Sequence, residues 1–379
     1  MTNTMAKIKP YRSFIIRYSS VLFSLCCYFL TQAQQTKLHL TAHDGPYIIY
    51  KGDEAQLIRV REGAVQVQPH LHPTVDVITE DGKHSFQVSL HKIQTPDWHY
   101  THQDGILVLS DPHGDFESLY AVLKAQKVIG DDYQWTFGKK HLVIIGDIFD
   151  RGKDVLPIFW LIYKLEAEAK QMGGAVHFIL GNHEEMILRG NLKYTEDKYK
   201  ALAQQLGYEY RNLWNNDSEL GRWLLRRNTI EKIGDHLFVH AGLSADIVDR
   251  PWSISAINDS VRVYLYHSKE EREQSEAARF LFGSRGPLWY RGMVHKDPKY
   301  DPLSMADLTR IMTLYKVRDI YVGHTIFPEV SSFYDGKVYD VNVKNKSNRE
   351  HGKSRGIYIQ GDKRTLIFDN PAKNKIMRQ

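Results

Sequence analysis

The chain has 379 residues, 42% hydrophobic and 25% charged, ordinary globular proportions that exclude a collagen-like, coiled-coil or wholly disordered protein. That length suits one large domain with an appendage, or two modest domains. The formal net charge of +5 is concentrated in a leader where Lys7, Lys9, Arg12 and Arg17 stand without any acid; removing those four from 50 bases leaves 46 against 45 acids, so charge lends no support to a nucleic-acid partner.

In chain order the leader comes first. Its bases end at Arg17, an uncharged stretch Ser19–Leu30 comes next, and Thr31-Gln32-Ala33 closes it, the layout of a secretory signal with a small-residue exit. Twelve residues rise only about 18 Å as a helix, against a hydrocarbon core of roughly 30 Å. The expectation is a signal peptide over residues 1–33, cleaved near Ala33, and a periplasmic or secreted protein with no stable membrane span. Left uncleaved, the segment would be a membrane anchor. Lipidation at Cys26 or Cys27 fits less well, because Leu25 precedes Cys26 where a small residue is wanted. Those two cysteines are the only ones in the chain, so the mature body holds no disulfide, thiolate ligand or cysteine nucleophile.

Residues 34–104 read as a small β-rich accessory region. Tyr47–Tyr50, Leu57–Val60, Val75–Ile78 and Phe86–Leu90 are short β-like runs, separated by turn sequences such as Asp44-Gly45-Pro46, Gly52-Asp53 and Asp81-Gly82. From residue 105 to 379 the texture changes to buried strands alternating with helical patterns. The apolar runs are Ile106–Leu109, Leu142–Ile145, Val176–Leu180, Leu237–Val239 and Ile320–Val322. Thr195–Arg227 is polar and helical, Trp252–Tyr315 is a longer excursion, and Val330–Val343 and Gly356–Phe368 return to β-like alternation. Two β-rich halves with helices outside predict an α/β fold built as a layered sandwich rather than one doubly wound sheet.

The loop after each buried run carries the chemistry. The first run leads into Asp111-Pro112-His113-Gly114-Asp115, the second into Gly146-Asp147-Ile148-Phe149-Asp150-Arg151-Gly152, and the third into Gly181-Asn182-His183-Glu184. The fourth leads into His240-Ala241-Gly242 and the fifth into Gly323-His324-Thr325. Singly, an Asp or Asn after a strand is usually a turn or cap, and a loop His is usually structural. Five in succession, each at the carboxyl end of a strand where α/β sheets place their sites, point to a metal centre. Asp, Asn and His without Cys make a mixed oxygen–imidazole set, suited to manganese, iron or zinc rather than calcium or a structural zinc. With so many donors, two ions sharing a carboxylate are more natural than one, and such a pair clamps both oxygens of an in-line phosphoryl displacement. Histidines outside these loops, such as His84 and His91, are read as structural or exposed.

The order Asp-x-His-Gly, Gly-Asp-x-x-Asp-Arg-Gly, Gly-Asn-His-Glu, His-Ala-Gly, Gly-His-Thr resembles the calcineurin-like metallophosphoesterases. Within them it is most similar to the phosphoprotein phosphatase branch, and there to the bacterial Shewanella-like phosphatases. The resemblance covers roughly residues 105–369 and implies a four-layer αββα sandwich. It implies Asp111, His113 and Asp147 on a first divalent metal, with Asp147 bridging to a second completed by Asn182, His240 and His324. Manganese is the first expectation, with iron or zinc as alternatives. Arg151 would hold phosphoryl oxygens through its guanidinium fork. His183 would be the general acid and Asp150 its orienting partner. A metal-bridging hydroxide would attack phosphorus without a covalent enzyme intermediate. Arg291, in Leu288-Trp289-Tyr290-Arg291-Gly292, is the candidate second phosphate-binding arginine, although such a run also fits plain packing.

Two departures leave every ligand in place: Ser110 stands where the family usually has Gly, and Pro112 fills the variable position. A third bears on substrate range: Tyr339-Asp340-Val341-Asn342-Val343 replaces the Ser-Ala-Pro-Asn-Tyr loop of eukaryotic Ser/Thr enzymes. The expected function is an exported phosphatase acting on phosphoproteins, on Ser/Thr or Tyr, or on small phosphomonoesters. Two alternatives stand beside it. One is a dinucleoside polyphosphate hydrolase, a substrate an exported enzyme would rarely meet. The other is a non-catalytic binding protein on a phosphatase scaffold, against which stands the full set of ligands and acid.

Overall fold

A computed structural model describes residues 40–101 and 104–377; the expected signal peptide lies outside the described residues. Five strands build the accessory region: β1 (His43–Lys51), β2 (Glu54–Arg61), β3 (Ala64–Pro69), β4 (Thr74–Ile78) and β5 (Ser85–Ser89). The first three form an antiparallel meander and the last two a hairpin. Strand β3 was not legible in the sequence because its residues are mostly exposed, Val67 to 51%, so no buried face marks it.

The body contains two six-stranded sheets. One runs β17-β16-β15-β7-β8-β9, from β7 (Ile106–Ser110), β8 (His141–Ile145), β9 (Ala175–Ile179), β15 (Gly356–Gln360), β16 (Lys363–Ile367) and β17 (Lys375–Ile376). The other runs β13-β14-β12-β11-β10-β6, from β6 (His99–Tyr100), β10 (Ile230–Ile233), β11 (His236–Val239), β12 (Asp319–Val322), β13 (Ser331–Phe333) and β14 (Val338–Asp340). Strand β6 is the surprise of this layout. The last residues of the accessory region pair in parallel with β10, His99 opposite Lys232 and Tyr100 opposite Ile233.

Alternation along the strands explains the layering. Ile106, Val108, Val143, Ile145, Ile357 and Ile359 face Phe238, Tyr321, Tyr339 and Val341 in a core between the sheets. Their neighbours Leu107, Leu109, Leu142 and Ile144 belong to a second core on the helical side. Both faces of the central strands β7 and β8 are therefore dry, which is why the sequence reads as continuous apolar runs there instead of alternating ones.

Three helices matter most to the site: α1 (Phe116–Ala125), α2 (Val155–Gln171) and α3 (Asn182–Leu188). Helix α2 is buried almost all round its first three turns, from Val155 to Leu165. A helix that is apolar on every side must be covered on every side. Strand β9 covers one face, and β1, β4 and β5 of the accessory region cover others. Trp160 Nε1 donates to the Pro46 carbonyl at 2.9 Å, and the His91 amide donates to the Tyr163 hydroxyl at 2.9 Å. At the start of the helix Asp154 makes no side-chain cap and instead accepts the Glu80 N–H at 2.6 Å. The accessory region is thus fastened three residues beyond Arg151. Among the described residues no helix is long and apolar enough to cross a membrane.

Candidate active site

The loops after β7, β8, β9, β11 and β12 converge. The one after β8 sets the geometry. Gly146 takes φ +67°, and a Cβ there would stand 2.7 Å from the Gly181 Cα and 2.8 Å from His240 Nδ1, so only glycine allows the three loops to close together. Left-handed backbone continues at Asp111 (φ 51°), His113 (42°), Asp147 (56°), Asp150 (68°), Arg151 (63°) and His324 (63°). Six of the ten predicted site residues thus hold conformations costing on the order of 1 kcal/mol or more each, a clustering found where a fold over-determines its functional groups.

Asp147 lies at the centre. Its Oδ2 is 3.3 Å from His240 Nε2 and 3.9 Å from both His113 Nε2 and His183 Nε2. His240 Nε2 also lies 2.9 Å from Asn182 Oδ1. Two groups of potential ligand atoms within 4.8 Å of one another share Asp147: His113–Asp147–His183 and Asp147–His240–His324. Asp111 is buried alongside, its carboxylate accepting from Asn342 Nδ2 at 2.9 Å and from the His324 amide at 3.2 Å. The Ser110 hydroxyl contacts the same carboxylate, so a serine there adds a hydrogen-bond partner to Asp111.

Charges in this cluster compete. Burial first, and then the Asp147 charge, push Asp111 up to about 7. Burial opposes a proton on His240, yet Asp147 carries it to about 9. His113 is pulled down to about 4, chiefly by burial. His324 falls well below its ordinary value through burial and the neighbouring His240, and its Nε2 is a buried nitrogen with no hydrogen-bond partner. A buried Asp111 carboxylate short of positive charge, with an imidazole nitrogen short of a partner, fits divalent cations that displace the protons.

His183 belongs to a different arrangement. Its Nδ1 is 2.6 Å from Asp150 Oδ2, and Asp150 Oδ1 accepts from Thr195 Oγ1 at 2.8 Å. The other nitrogen, Nε2, has Arg151 Nη2 at 3.5 Å. A guanidinium beside Nε2 disfavours a second positive charge at that nitrogen. Burial disfavours its cation, but the charges of Asp147 and Asp150 win and hold its pKa above the ordinary imidazole value, as suits a proton donor.

Arg151, Arg291, Asp111, His113, Asp147, Asn182, His183 and His324 all line one cleft of about 800 Å³. His240 is fully buried behind it. Arg291 Nη1 donates to the His324 carbonyl at 3.2 Å and to Thr325 Oγ1 at 3.0 Å.

Four residues near the site carry roles that the sequence reading did not assign. Glu184 is fully buried, and its carboxylate accepts from the amides of Gly181, Asp147 and Ile148, each at 2.8 Å, and of Phe149 at 3.3 Å. Its place in Gly-Asn-His-Glu was the available signal. Thr195 and Asn342 orient Asp150 and Asp111, and Tyr194 flanks His183; nothing local in the sequence distinguishes these three. Buried His177, 2.6 Å from Glu231, and His236, which pairs with Asp319, lie on strands and serve packing.

The folded class is that of the metallophosphatases: the Calcineurin-like phosphoesterase family model matches residues 105–328, and the chain belongs to that family and is a phosphoester hydrolase. Proteins named as protein phosphatases are among its relatives. The crystal structure of the cold-active protein-tyrosine phosphatase of the psychrophile Shewanella sp. superposes with a TM-score of 0.81 at 29% identity, covering 89% of this chain and 100% of that one. Shewanella-like protein phosphatase 1 of Plasmodium berghei (strain Anka) is 27% identical over 261 residues, 68% of this chain and 71% of its own. Shewanella-like protein phosphatase 2 of Arabidopsis thaliana is 26% identical over 268 residues, 58% of this chain and 66% of its own.

Proposed function

We propose that this protein is an exported, dinuclear-metal phosphomonoesterase acting on phosphoproteins. The observation that carries the reading is the His183–Asp150 pair, 2.6 Å apart, beside Arg151 and the shared carboxylate of Asp147 in one open cleft. Asp111, His113 and Asp147 would hold one ion, and Asp147, Asn182, His240 and His324 the other, with manganese the first choice. When bound, such ions supply an activated water and neutralise phosphoryl charge.

The chain's own groups do the rest. Arg151 and Arg291 receive the phosphoryl oxygens, whose charge a guanidinium fork matches in both geometry and sign. His183 Nε2 faces the cleft and gives its proton to the leaving oxygen. Asp150 fixes the tautomer by taking Nδ1–H and stabilises the imidazolium before transfer. Thr195 occupies the second Asp150 oxygen, so the carboxylate cannot turn away. No nucleophilic side chain is required, consistent with a body free of cysteine.

Steady-state assays of the full chain with manganese test this against aryl phosphate, phosphopeptides and a dinucleoside polyphosphate. Turnover of the phosphopeptides is expected. Preferential cleavage of the polyphosphate would favour the hydrolase alternative, and inertness toward all three would leave a binding protein. Export rests on the four leader bases, the uncharged Ser19–Leu30 and the Thr31-Gln32-Ala33 exit. N-terminal sequencing of the protein from its native envelope should begin close to Gln34, and full-length protein in the cytoplasm would refute it.

A further inference from the structure

Next to the proposed acid the cleft wall is aromatic. Tyr194 lines the cleft and stays 40% exposed. Its ring centroid lies 5.5 Å from that of His183, the planes tilted by 44°. The Arg151 guanidinium carbon sits 5.1 Å from the same centroid, and Lys193 Nζ 4.9 Å from it. The segment is held firmly. The Tyr194 carbonyl accepts the Arg151 N–H at 3.1 Å, and Thr195 bonds Asp150.

We infer that Tyr194 is a specificity-determining residue, selecting phosphoesters of a phenol over those of an aliphatic alcohol. The inference rests on the assignment of His183 as the acid, since that fixes which side the leaving group takes. An oxygen within hydrogen-bond reach of His183 carries its substituent out past Tyr194. A phenyl ring there reaches the aromatic wall at the ~4.5–7 Å centroid separation that offset and edge-to-face pairs adopt. The single methylene of a phosphoserine presents no ring and gains nothing from it. At 40% exposure Tyr194 stays partly open at the cleft, beside the two cations that attend its ring. Arg151 is drawn to the phosphoryl group from the same spot, so one side chain borders both the charged and the apolar ends of the substrate.

A competing role is plain support, in which Tyr194 does no more than prop Arg151 through a cation–π contact. The two roles separate by substrate. The full chain with manganese is assayed for kcat/KM on two peptides of one sequence, bearing phosphotyrosine or phosphoserine. Tyr194→Ala should lower the tyrosine-to-serine ratio roughly three- to tenfold, while Tyr194→Phe keeps the wild-type ratio because the ring remains. Equal losses on both peptides in Tyr194→Ala, or a ratio that falls as far in Tyr194→Phe, would overturn the inference and leave the phosphatase reading intact. Hydrolysis of neither peptide by the wild-type protein would overturn both. Metal content and the circular dichroism spectrum of each variant, expected to be unchanged, exclude misfolding as the cause of a shifted ratio.

Discussion

Asp150 Oδ2 stands 2.6 Å from His183 Nδ1, and the pair is almost wholly closed to solvent. A carboxylate in that position holds one tautomer of the ring and directs Nε2 into the cleft. Asp150 itself does not line the cleft.

The value of His183 should therefore depend on how much the departing oxygen needs a proton. General acid help is typically about 10²–10⁴-fold. His183→Ala should keep its metals and lose most of that range on a phosphoserine peptide, but far less on nitrophenyl phosphate, whose leaving group departs unaided. Asp150→Asn should show the same bias more weakly. Single-turnover rates are the measurement, since product release must not mask chemistry. Equal losses on both substrates, or a missing metal, would make the acid assignment wrong.

Asp147 is shared by both groups of potential metal ligands. Asp147→Asn should lose more bound metal than Asn182→Ala or His324→Ala, each of which touches one group. Elemental analysis finding two full equivalents in the Asp147 variant would rule out a shared ligand. Chelation should abolish turnover and manganese should restore it.

Glu184 binds four amides around Asp147 without touching the cleft. In Glu184→Gln a donor NH₂ replaces one accepting oxygen and must face those N–H groups. A stability loss of about 1–3 kcal/mol is expected in urea titrations run with chelator. A weakening of metal binding by about 10–100-fold should accompany it, because the orienting partner of a ligand loop has gone. Unchanged metal affinity would show that the Asp147 loop holds its shape alone.

Asp154 ties the accessory region to the start of α2, and burial raises its pKa to about 6. A carboxyl whose folded pKa is raised binds its proton more tightly in the folded state. Its favourable contribution is present at low pH and is lost as pH rises from the ordinary value near 4 through about 6. Asp154→Asn keeps the acceptor for the Glu80 amide and removes the titration. Thermal unfolding of the variant should therefore show less decline between pH 4 and 6 than the parent. A parallel curve would remove Asp154 from the pH response.

The site was legible because each half of its signal is local. An apolar run of three to five residues marks a strand dry on both faces, and the first site residue comes within two positions of Leu109, Ile145, Leu180, Val239 and Val322. The ligand types and their order need no knowledge of the fold. What the sequence could not supply was anything joining distant segments. Thr195 meets Asp150 across 45 positions and Asn342 meets Asp111 across 231; a threonine or asparagine in a polar loop carries no mark of its partner. The same holds for β6, two residues long, which becomes a sheet edge only because β10 offers free backbone groups beside it. Helix α2 shows both sides of the division. Its unbroken apolar stretch declares that it must be covered, and packing alone decides that strands from the first hundred residues do the covering.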